Sequence, residues 1–123
     1  MLYAILCYDS EDTVCAWSKE KDAEVMASLG AVQHKLAQQG RLGPVARLMP
    51  TTAATTIRKG ADALIIDGPF AETKEQLLGF FVVECATLDE AIEAAKDLAR
   101  ASGSDGAFEL RPIARFNPVP PTL

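Results

Sequence analysis

Two segments of the sequence are apolar on both of the faces that a β-strand presents, and this limits the folds open to the chain. In "LLGFFVVE", residues 77–84, and in "LYAILCY", residues 2–8, large apolar side chains occupy odd and even positions alike. Successive side chains of a strand point to opposite sides of its sheet. Both segments are therefore predicted to be strands of one sheet that needs apolar cover on each face.

Two helices are predicted from their capping residues and from the spacing of their apolar residues. Ser18 precedes a helix over residues 19–39, and Gly40 stands where a left-handed residue ends such a helix. Apolar residues recur in that helix at steps of three and four, which makes one stripe. Thr87 and Glu90 have the spacing of a capping box, which starts a second helix with one apolar side.

Three further segments are predicted to be extended. Residues 41–50 form an irregular strand, 54–67 form a hairpin, and 107–116 form a strand that Pro112 restricts to a sheet edge. The order strand, helix, several strands, helix, strand indicates an α+β fold with an antiparallel sheet. The simplest such fold is a ferredoxin-like βαββαβ core with two helices on one face and an added hairpin.

The length of 123 residues fits a single domain, which is taken as residues 1–116 and is followed by a C-terminal tail over residues 117–123. Two helices can cover only one face of the sheet. An uncovered apolar second face would exceed the few hundred Å² that monomers usually expose. A second copy of the chain is therefore expected to cover it, with Phe81, Val83 and Leu6 in the contact. The alternative is cover by the chain's own residues 41–60 or by its tail.

Composition excludes several classes of function. The net charge of −5 and the absence of a basic cluster argue against direct binding of nucleic acid. Cys7, Cys15 and Cys85 are too far apart for a zinc site or a disulfide framework, so neither a metal nor another cofactor is expected. No signal peptide and no apolar run of about 18 residues is found, so we expect a cytoplasmic protein with no membrane association.

The connection over residues 67–76 is longer than a hairpin needs and is rich in ionisable groups. Gly68 and Pro69 follow Asp67 in a sequence typical of a turn. Phe70 is expected to anchor the loop to the rest of the domain. A capping-box spacing between Thr73 and Gln76 predicts one helical turn. After the loop, Gly79 interrupts the strand, which indicates a bulge or a close backbone approach.

Two interpretations of this loop stay open. In the functional one, Asp67 and Glu72 act as acid/base or ligand-orienting groups and Lys74 contacts an anion. Arg111 and Tyr3 then complete a cleft between the sheet, the first helix and the loop. In the structural one, Asp67 caps backbone N–H groups and Lys74 forms ion pairs with neighbouring carboxylates, which contribute little to stability.

The segment "DGPFAETKEQLLGFFVVE", residues 67–84, resembles the signature of the DGPF family, within the larger YCII-related group. "MLYAILCY", "QQGRL", "ATTIR", "TLDEAIEAA" and "FELRPI" fit the same pattern, so the resemblance covers nearly the whole chain. It implies a dimeric α/β-barrel in which ferredoxin-like protomers pair through their sheets. It implies no established activity, since members are described as uncharacterised or as partners of alternative sigma factors.

In the broader YCII-related group a His and an Asp in the cleft are proposed as a catalytic pair. The single histidine here, His34, lies too late in the first helix for that role, so a solvated side chain is expected. Three functions are consistent with these patterns. The first is a homodimeric small-molecule-binding protein, with cofactor-free acid/base chemistry at Asp67. The second is a non-catalytic regulatory module that binds another protein, and the third, by fold analogy alone, is a cofactor-free oxygenase.

Overall fold

Ten segments of regular structure follow one another in the computed structural model, which describes residues 1–118. They are β1 (Leu2–Asp9), α1 (Glu11–Cys15), α2 (Lys19–Gln38), β2 (Leu42–Arg47), a 3₁₀ turn (Thr51–Ala53), β3 (Thr55–Arg58), β4 (Leu64–Asp67), β5 (Gln76–Glu84), α3 (Leu88–Ala101) and β6 (Ala107–Pro112). The tail predicted for residues 117–123 lies, from residue 119 on, outside the described residues.

The strands form one four-stranded sheet in the order β2–β5–β1–β6 and a separate two-stranded sheet of β3 and β4. All of the strand pairs are antiparallel. The central pair consists of the two strands that are apolar on both faces. This is the ferredoxin-like α+β fold with an added hairpin, as the sequence predicts. The sheet of residues 1–118 is open and does not close into a barrel within one chain.

The helices start where their capping residues are. The Ser18 hydroxyl accepts a hydrogen bond from the Lys21 amide at 3.0 Å, at the start of α2. At the start of α3, the Thr87 hydroxyl accepts from the Glu90 amide at 3.2 Å. The Glu90 carboxylate in turn accepts from the Ala86 amide at 2.9 Å, one residue before the cap. These contacts satisfy amides that have no partner inside the helix.

The helix α1 is not among the elements predicted from the sequence. The Ser10 side chain caps it by accepting from the Thr13 amide at 3.3 Å. Glu11 and Asp12 occupy its first turn, where carboxylates interact favourably with the helix dipole. With five residues the helix is too short to show an apolar period, so the capping serine is the only local signal for it.

The core lies between one face of the four-stranded sheet and the helices α2 and α3. Ile5 of β1, Val83 of β5 and Leu98 of α3 have no side-chain exposure. The buried cluster on this face comprises Tyr3, Ile5, Leu36, Phe81, Val83, Cys85, Ala91, Ala94, Ala95 and Leu98. Each large side chain buried there contributes roughly 1.5–3 kcal/mol to folding.

The predicted dimer face has to be corrected, because Phe81 and Val83 belong to this core and are 6% and 0% exposed. They pair across the sheet with the core residues Ile5 and Tyr3, which point to the same side. Leu6 pairs with Phe80, so these two side chains lie on the opposite face. We call that opposite side, which faces away from α2 and α3, the open face.

The open face is less exposed than the sequence predicts. Leu6 and Phe80 are half-buried, and Val82 is only 5% exposed, in the single chain. Large apolar residues that are more than half exposed stand instead on the β3–β4 hairpin and on the segments before and after it, namely Met49, Ile57, Leu64, Ile65 and Phe70. The sequence therefore predicts a surplus of apolar surface correctly but assigns it to the wrong element.

A bulge in β5 fixes how the central strands meet. The pairing of β1 with β5 shifts between Cys7 and Tyr8, where Leu78 has no partner in the register. Gly79 pairs with Arg47 of β2, and a Cβ atom at residue 79 would overlap the carbonyl oxygen of Ala46. Glycine is required here because the backbone of β2 approaches too closely for any side chain.

Candidate functional site

The loop over residues 67–76 is held mainly by hydrogen bonds to its own backbone. The Gln76 side-chain amide donates to the Ala71 carbonyl at 2.9 Å and to the Thr73 carbonyl at 3.4 Å. At the start of the loop, the Gly68 amide donates to the Ala54 carbonyl at 2.8 Å. The Gly68 carbonyl accepts from the Thr56 hydroxyl at the same distance. The loop is thus closed on itself and tied to the start of the hairpin.

Two expectations for this loop are wrong. Phe70 does not anchor it, because its side chain is 71% exposed. The Arg58 guanidinium lies 5.0 Å from the centre of the Phe70 ring, which is a cation–π contact at the surface. The predicted helical turn is also absent from the described chain, because Gln76 already begins β5 and its side chain faces back into the loop.

The ionisable groups of the loop are exposed. Within residues 1–118 the Asp67 carboxylate accepts no side-chain or backbone hydrogen bond, so the predicted cap is not formed. No ion pair joins Lys74 to Glu72 or Glu75 in the same part of the chain. Gly68 has φ of 111°, which gives the turn its left-handed residue, and Pro69 follows it.

The structure distributes the predicted ligand-binding residues over four places. Asp67 and Glu72 line one shallow depression, and Lys74 lines another next to α1 and the end of α3. Tyr3 is 5% exposed in the core, and Arg111 is exposed on the open face of β6. These side chains therefore do not converge on one cleft.

A pocket of about 130 Å³ lies instead between the core face of the sheet and the helix α2. Cys7, Phe81 and Phe108 form its floor, and Val25, Met26 and Leu29 of α2 form its roof. The rings of Phe81 and Phe108 are tilted against each other, with 6.3 Å between their centres. In the part of the chain that the structure describes, the lining residues are Cys7, Tyr8, Asp9, Val14, Trp17, Val25, Met26, Leu29, Gln33, Val45, Ala46, Arg47, Leu78, Gly79, Phe80, Phe81, Ser102, Ser104 and Phe108.

The short helix α1 closes one end of this pocket. Asp9 accepts a hydrogen bond from the Ser10 amide at 2.8 Å, which turns the chain out of β1. The turn that follows places Val14 of α1 and Trp17 of the next connection on the pocket lining. Trp17 is half-buried, and the Lys21 ammonium lies 5.8 Å from the centre of its ring. The Trp17 side chain thus separates the apolar interior from a charged surface.

Arg47 is the one arginine that residues 1–118 contribute to the lining, and it is already paired. Arg47 Nη2 lies 2.8 Å from Asp22 Oδ1, and Nη1 lies 3.3 Å from Oδ2. This two-pronged hydrogen bond holds the pKa of the Asp22 carboxyl below its usual value and raises the pKa of Arg47. Because Asp22 neutralises it, Arg47 offers little attraction to an anionic ligand.

The thiol of Cys7 belongs to the apolar floor. Burial raises its pKa to about 12, because the thiolate would lose its hydration there. The thiol is therefore neutral at physiological pH, and the Sγ atom donates at most a weak hydrogen bond to the Ile5 carbonyl at 3.7 Å. The half-buried side chain of Gln33 supplies an uncharged amide at the pocket.

The pocket could be predicted only in part. Val25, Met26 and Leu29 belong to the apolar stripe of α2, which the sequence indicates but assigns entirely to the core. No sequence signal shows that part of this stripe stands away from the sheet. Trp17, in contrast, is a large aromatic residue in a short connection, and this is the signal that could have directed attention to the pocket.

Other kinds of site find no support in the described residues. Among residues 1–118 no three His, Cys, Asp or Glu side chains are close enough to bind a metal ion. His34 is exposed on α2 and does not line the pocket, so the solvated role predicted for it is confirmed. None of the helices in this range combines the length and the hydropathy needed to span a bilayer.

Comparison with known proteins extends over almost the whole chain. The family model described as "YCII-related domain" matches residues 1–117. An uncharacterised protein of Rhizobium meliloti (strain 1021) is 57% identical over 119 residues, which cover 96% of each of the two chains. Neither the family description nor the name of the relative specifies a ligand or a reaction.

Proposed function

Because this chain belongs to the YCII-related family, and because its fold leaves an apolar pocket under α2, we propose that it is a homodimer that binds a small, uncharged, largely apolar molecule. The observation that carries this proposal is the pocket itself. Ligand sites in proteins are concave and mostly apolar, with a few polar groups that orient the ligand. Here aliphatic and aromatic side chains enclose the interior, while the amide of Gln33 and the hydroxyl of Ser104 supply polar atoms at the lining.

The size of the pocket limits the ligand. An apolar cavity of about 150 Å³ holds one benzene molecule. The pocket of about 130 Å³ therefore accepts a single ring or a short branched chain in its interior, with any polar substituent directed to the open side. The tilted Phe81 and Phe108 rings provide edges and faces on which an aromatic ligand packs favourably.

The charges around the pocket favour a neutral ligand over an anionic one. A ligand carboxylate would need an unpaired cation, and the guanidinium of Arg47 is already bound to Asp22. Asp9, which also lines the pocket, would repel it. A ligand cation would have to lose its hydration against an apolar floor. The binding free energy would therefore come mainly from burial of apolar surface.

Pairing of two chains is a second element of the proposal. The apolar residues Leu6 and Phe80 are half-buried on the open face, where no helix of residues 1–118 covers them. We infer that this face contributes to contact with a second copy. An acid/base role for Asp67 stays a prediction that the pocket does not support, since Asp67 lies in a different depression.

The proposal is tested with two ligands that have the same ring and differ in charge, benzyl alcohol and benzoate. Trp17 is the single tryptophan of the chain, so its fluorescence reports on the pocket without interference from other indoles. We expect benzyl alcohol to shift and saturate this signal, with benzoate binding at least ~10-fold more weakly because its charge loses hydration. A larger affinity for benzoate would refute the neutral ligand class, and no saturable response to either would refute the pocket.

Two matched variants locate the site. Val14→Phe fills the pocket with roughly 50 Å³ of additional side chain and should weaken benzyl alcohol binding at least ~10-fold. Val32→Phe is the control, because Val32 is also half-buried on a helix but lines a separate groove between α2 and α3. Equal effects of the two substitutions would show that the ligand binds elsewhere or that both act through the fold.

A further inference from the structure

The β3–β4 hairpin carries an unusual amount of exposed apolar surface. Ile57 and Ile65 pair across its two strands and are 62% and 69% exposed. On its other side, Leu64 and Ile66 are 57% and 40% exposed. None of the eight residues of the two strands is buried, and they form no ladder with the four-stranded sheet.

Such a hairpin is not stable in water by itself. Two strands of four residues make few hydrogen bonds, and an isolated two-stranded hairpin is at best marginally stable. Soluble monomers rarely expose a contiguous apolar patch above a few hundred Å². Ile57 and Ile65 lie on one face of the hairpin and Leu64 and Ile66 on the other, and residues 1–118 bury neither face.

We propose that the hairpin is an arm that packs its apolar residues against a second copy of this chain. This inference rests on the proposed homodimer and names the surface that holds it together. The exposed parts of Met49, Ile57, Leu64, Ile65, Ile66 and Phe70 amount to roughly 700 Å². A standard-size interface buries about 800 Å² on each partner, so the arm together with Met49 and Phe70 beside it nearly supplies what a stable dimer needs.

The charge of the arm also fits a second copy better than an oppositely charged partner. The whole chain has a net charge of −5, so two copies repel each other over most of their surface. Between residues 48 and 70 the two cations, Arg58 and Lys59, balance the two anions, Asp62 and Asp67. This neutral segment can meet its own copy without like-charge repulsion. A basic partner, in contrast, would find no acidic excess on the arm.

The exposed ring of Phe70 is suited to contact with a second copy. The Arg58 guanidinium lies 5.0 Å from the centre of its ring, a contact that favours this position of the side chain, while 71% of the residue stays exposed. A large aromatic residue that is held in place before binding loses little conformational entropy when it is buried. Aromatic residues of this kind often contribute most to the affinity of an interface.

The test compares the double variant Ile57→Asp/Ile65→Asp with the control Ala61→Asp, which adds a charge at the exposed bend of the same hairpin. Sedimentation velocity over a range of concentrations gives the dimer dissociation constant of each protein. We expect the double variant to raise it at least ~100-fold, because two large side chains leave the contact, and the control to change it less than ~3-fold. Equal constants for wild type and double variant, or a wild type that is monomeric throughout, would overturn the proposal.

Hydrogen exchange provides a second measurement that does not depend on the variants. In the wild type, the amides of β3 and β4 should lose protection on dilution below the dissociation constant, while those of β5 stay protected. Protection of the hairpin that is independent of concentration would overturn the proposal and indicate cover by the chain itself. Titration of each protein with benzyl alcohol separates the two proposals, because the hairpin does not line the pocket. Loss of the dimer with retained binding leaves the pocket proposal intact.

Discussion

Neighbouring residues Phe80 and Phe81 have opposite surroundings, and this allows a sharp test of how the sheet is oriented. Phe81 lies in the core and is 6% exposed, whereas Phe80 is half-buried on the open face. The same substitution, Phe→Asp, should therefore unfold the chain at residue 81 and leave it folded at residue 80. Apolar character alone does not distinguish the two positions in the sequence.

The magnitude at Phe81 follows from two losses. Removing a buried phenylalanine costs about 3–5 kcal/mol of unfolding free energy, and an unpaired buried carboxylate adds several kcal/mol. The sum is comparable to the roughly 5–15 kcal/mol that stabilises an ordinary domain, so we expect the variant to be largely unfolded. At Phe80 the carboxylate reaches solvent, so only part of the apolar contact is lost, about 1–2 kcal/mol. For a chain of this length, that corresponds to a melting temperature about 3–10 °C lower.

Thermal unfolding followed by circular dichroism at a low protein concentration measures both variants under the same conditions. We expect Phe80→Asp to show a cooperative transition and Phe81→Asp to show none. If Phe81→Asp melts within a few degrees of the wild type, or if Phe80→Asp is the variant that fails to fold, the core lies on the face of the sheet that carries Phe80.

Three further predictions concern single positions. Gly79→Ala should lower the free energy of unfolding, measured with urea, by about 1–3 kcal/mol, because the new methyl group meets the β2 backbone. Gly30→Ala is the control and should raise it by up to ~1 kcal/mol, because the space around its Cβ is open. Above pH 9 the unfolded chain loses the Cys7 proton, whereas the folded chain keeps it because burial raises the thiol pKa to about 12. The free energy of unfolding should therefore fall by at most about 1.4 kcal/mol per pH unit, and Cys7→Ala should reduce this slope in thermal melts between pH 8 and 10. Asp67→Ala should change the unfolding free energy by less than ~0.5 kcal/mol in the same urea assay, because the carboxylate holds no hydrogen bond among the described residues; a loss of 1–2 kcal/mol would restore it as a cap.

The fold could be predicted because several independent signals agree. Ser18, Thr87 and Gly40 mark helix ends through local chemistry, and the two doubly apolar segments identify the central strands. Gly79 indicates the bulge, because a glycine inside a strand usually marks a bulge or a close backbone approach. The signals are local in the sequence, and each agrees with the fold that the whole chain adopts.

The site could not be predicted with the same success, because it depends on contacts that the sequence leaves open. The alternation of side chains along a strand shows that the strand has two faces, but it does not show which face meets the helices. The dimer face predicted at Phe81 and Val83 is for this reason on the wrong side of the sheet. The ionisable residues of the loop over residues 67–76 indicate a functional site in the sequence, although Gln76 and Thr56 hold this loop by ordinary hydrogen bonds. The pocket, in contrast, is built mostly from apolar residues, and their spacing in the sequence is the same as that of core residues.

The measurement that tests the central claim most directly is an NMR experiment with benzyl alcohol and the full chain, in which intermolecular proton contacts locate the bound ring. We predict contacts to the methyl groups of Val25 and Leu29 and to the indole of Trp17, and none to the loop over residues 67–76. Contacts confined to that loop or to Arg111, with none under α2, would contradict the account.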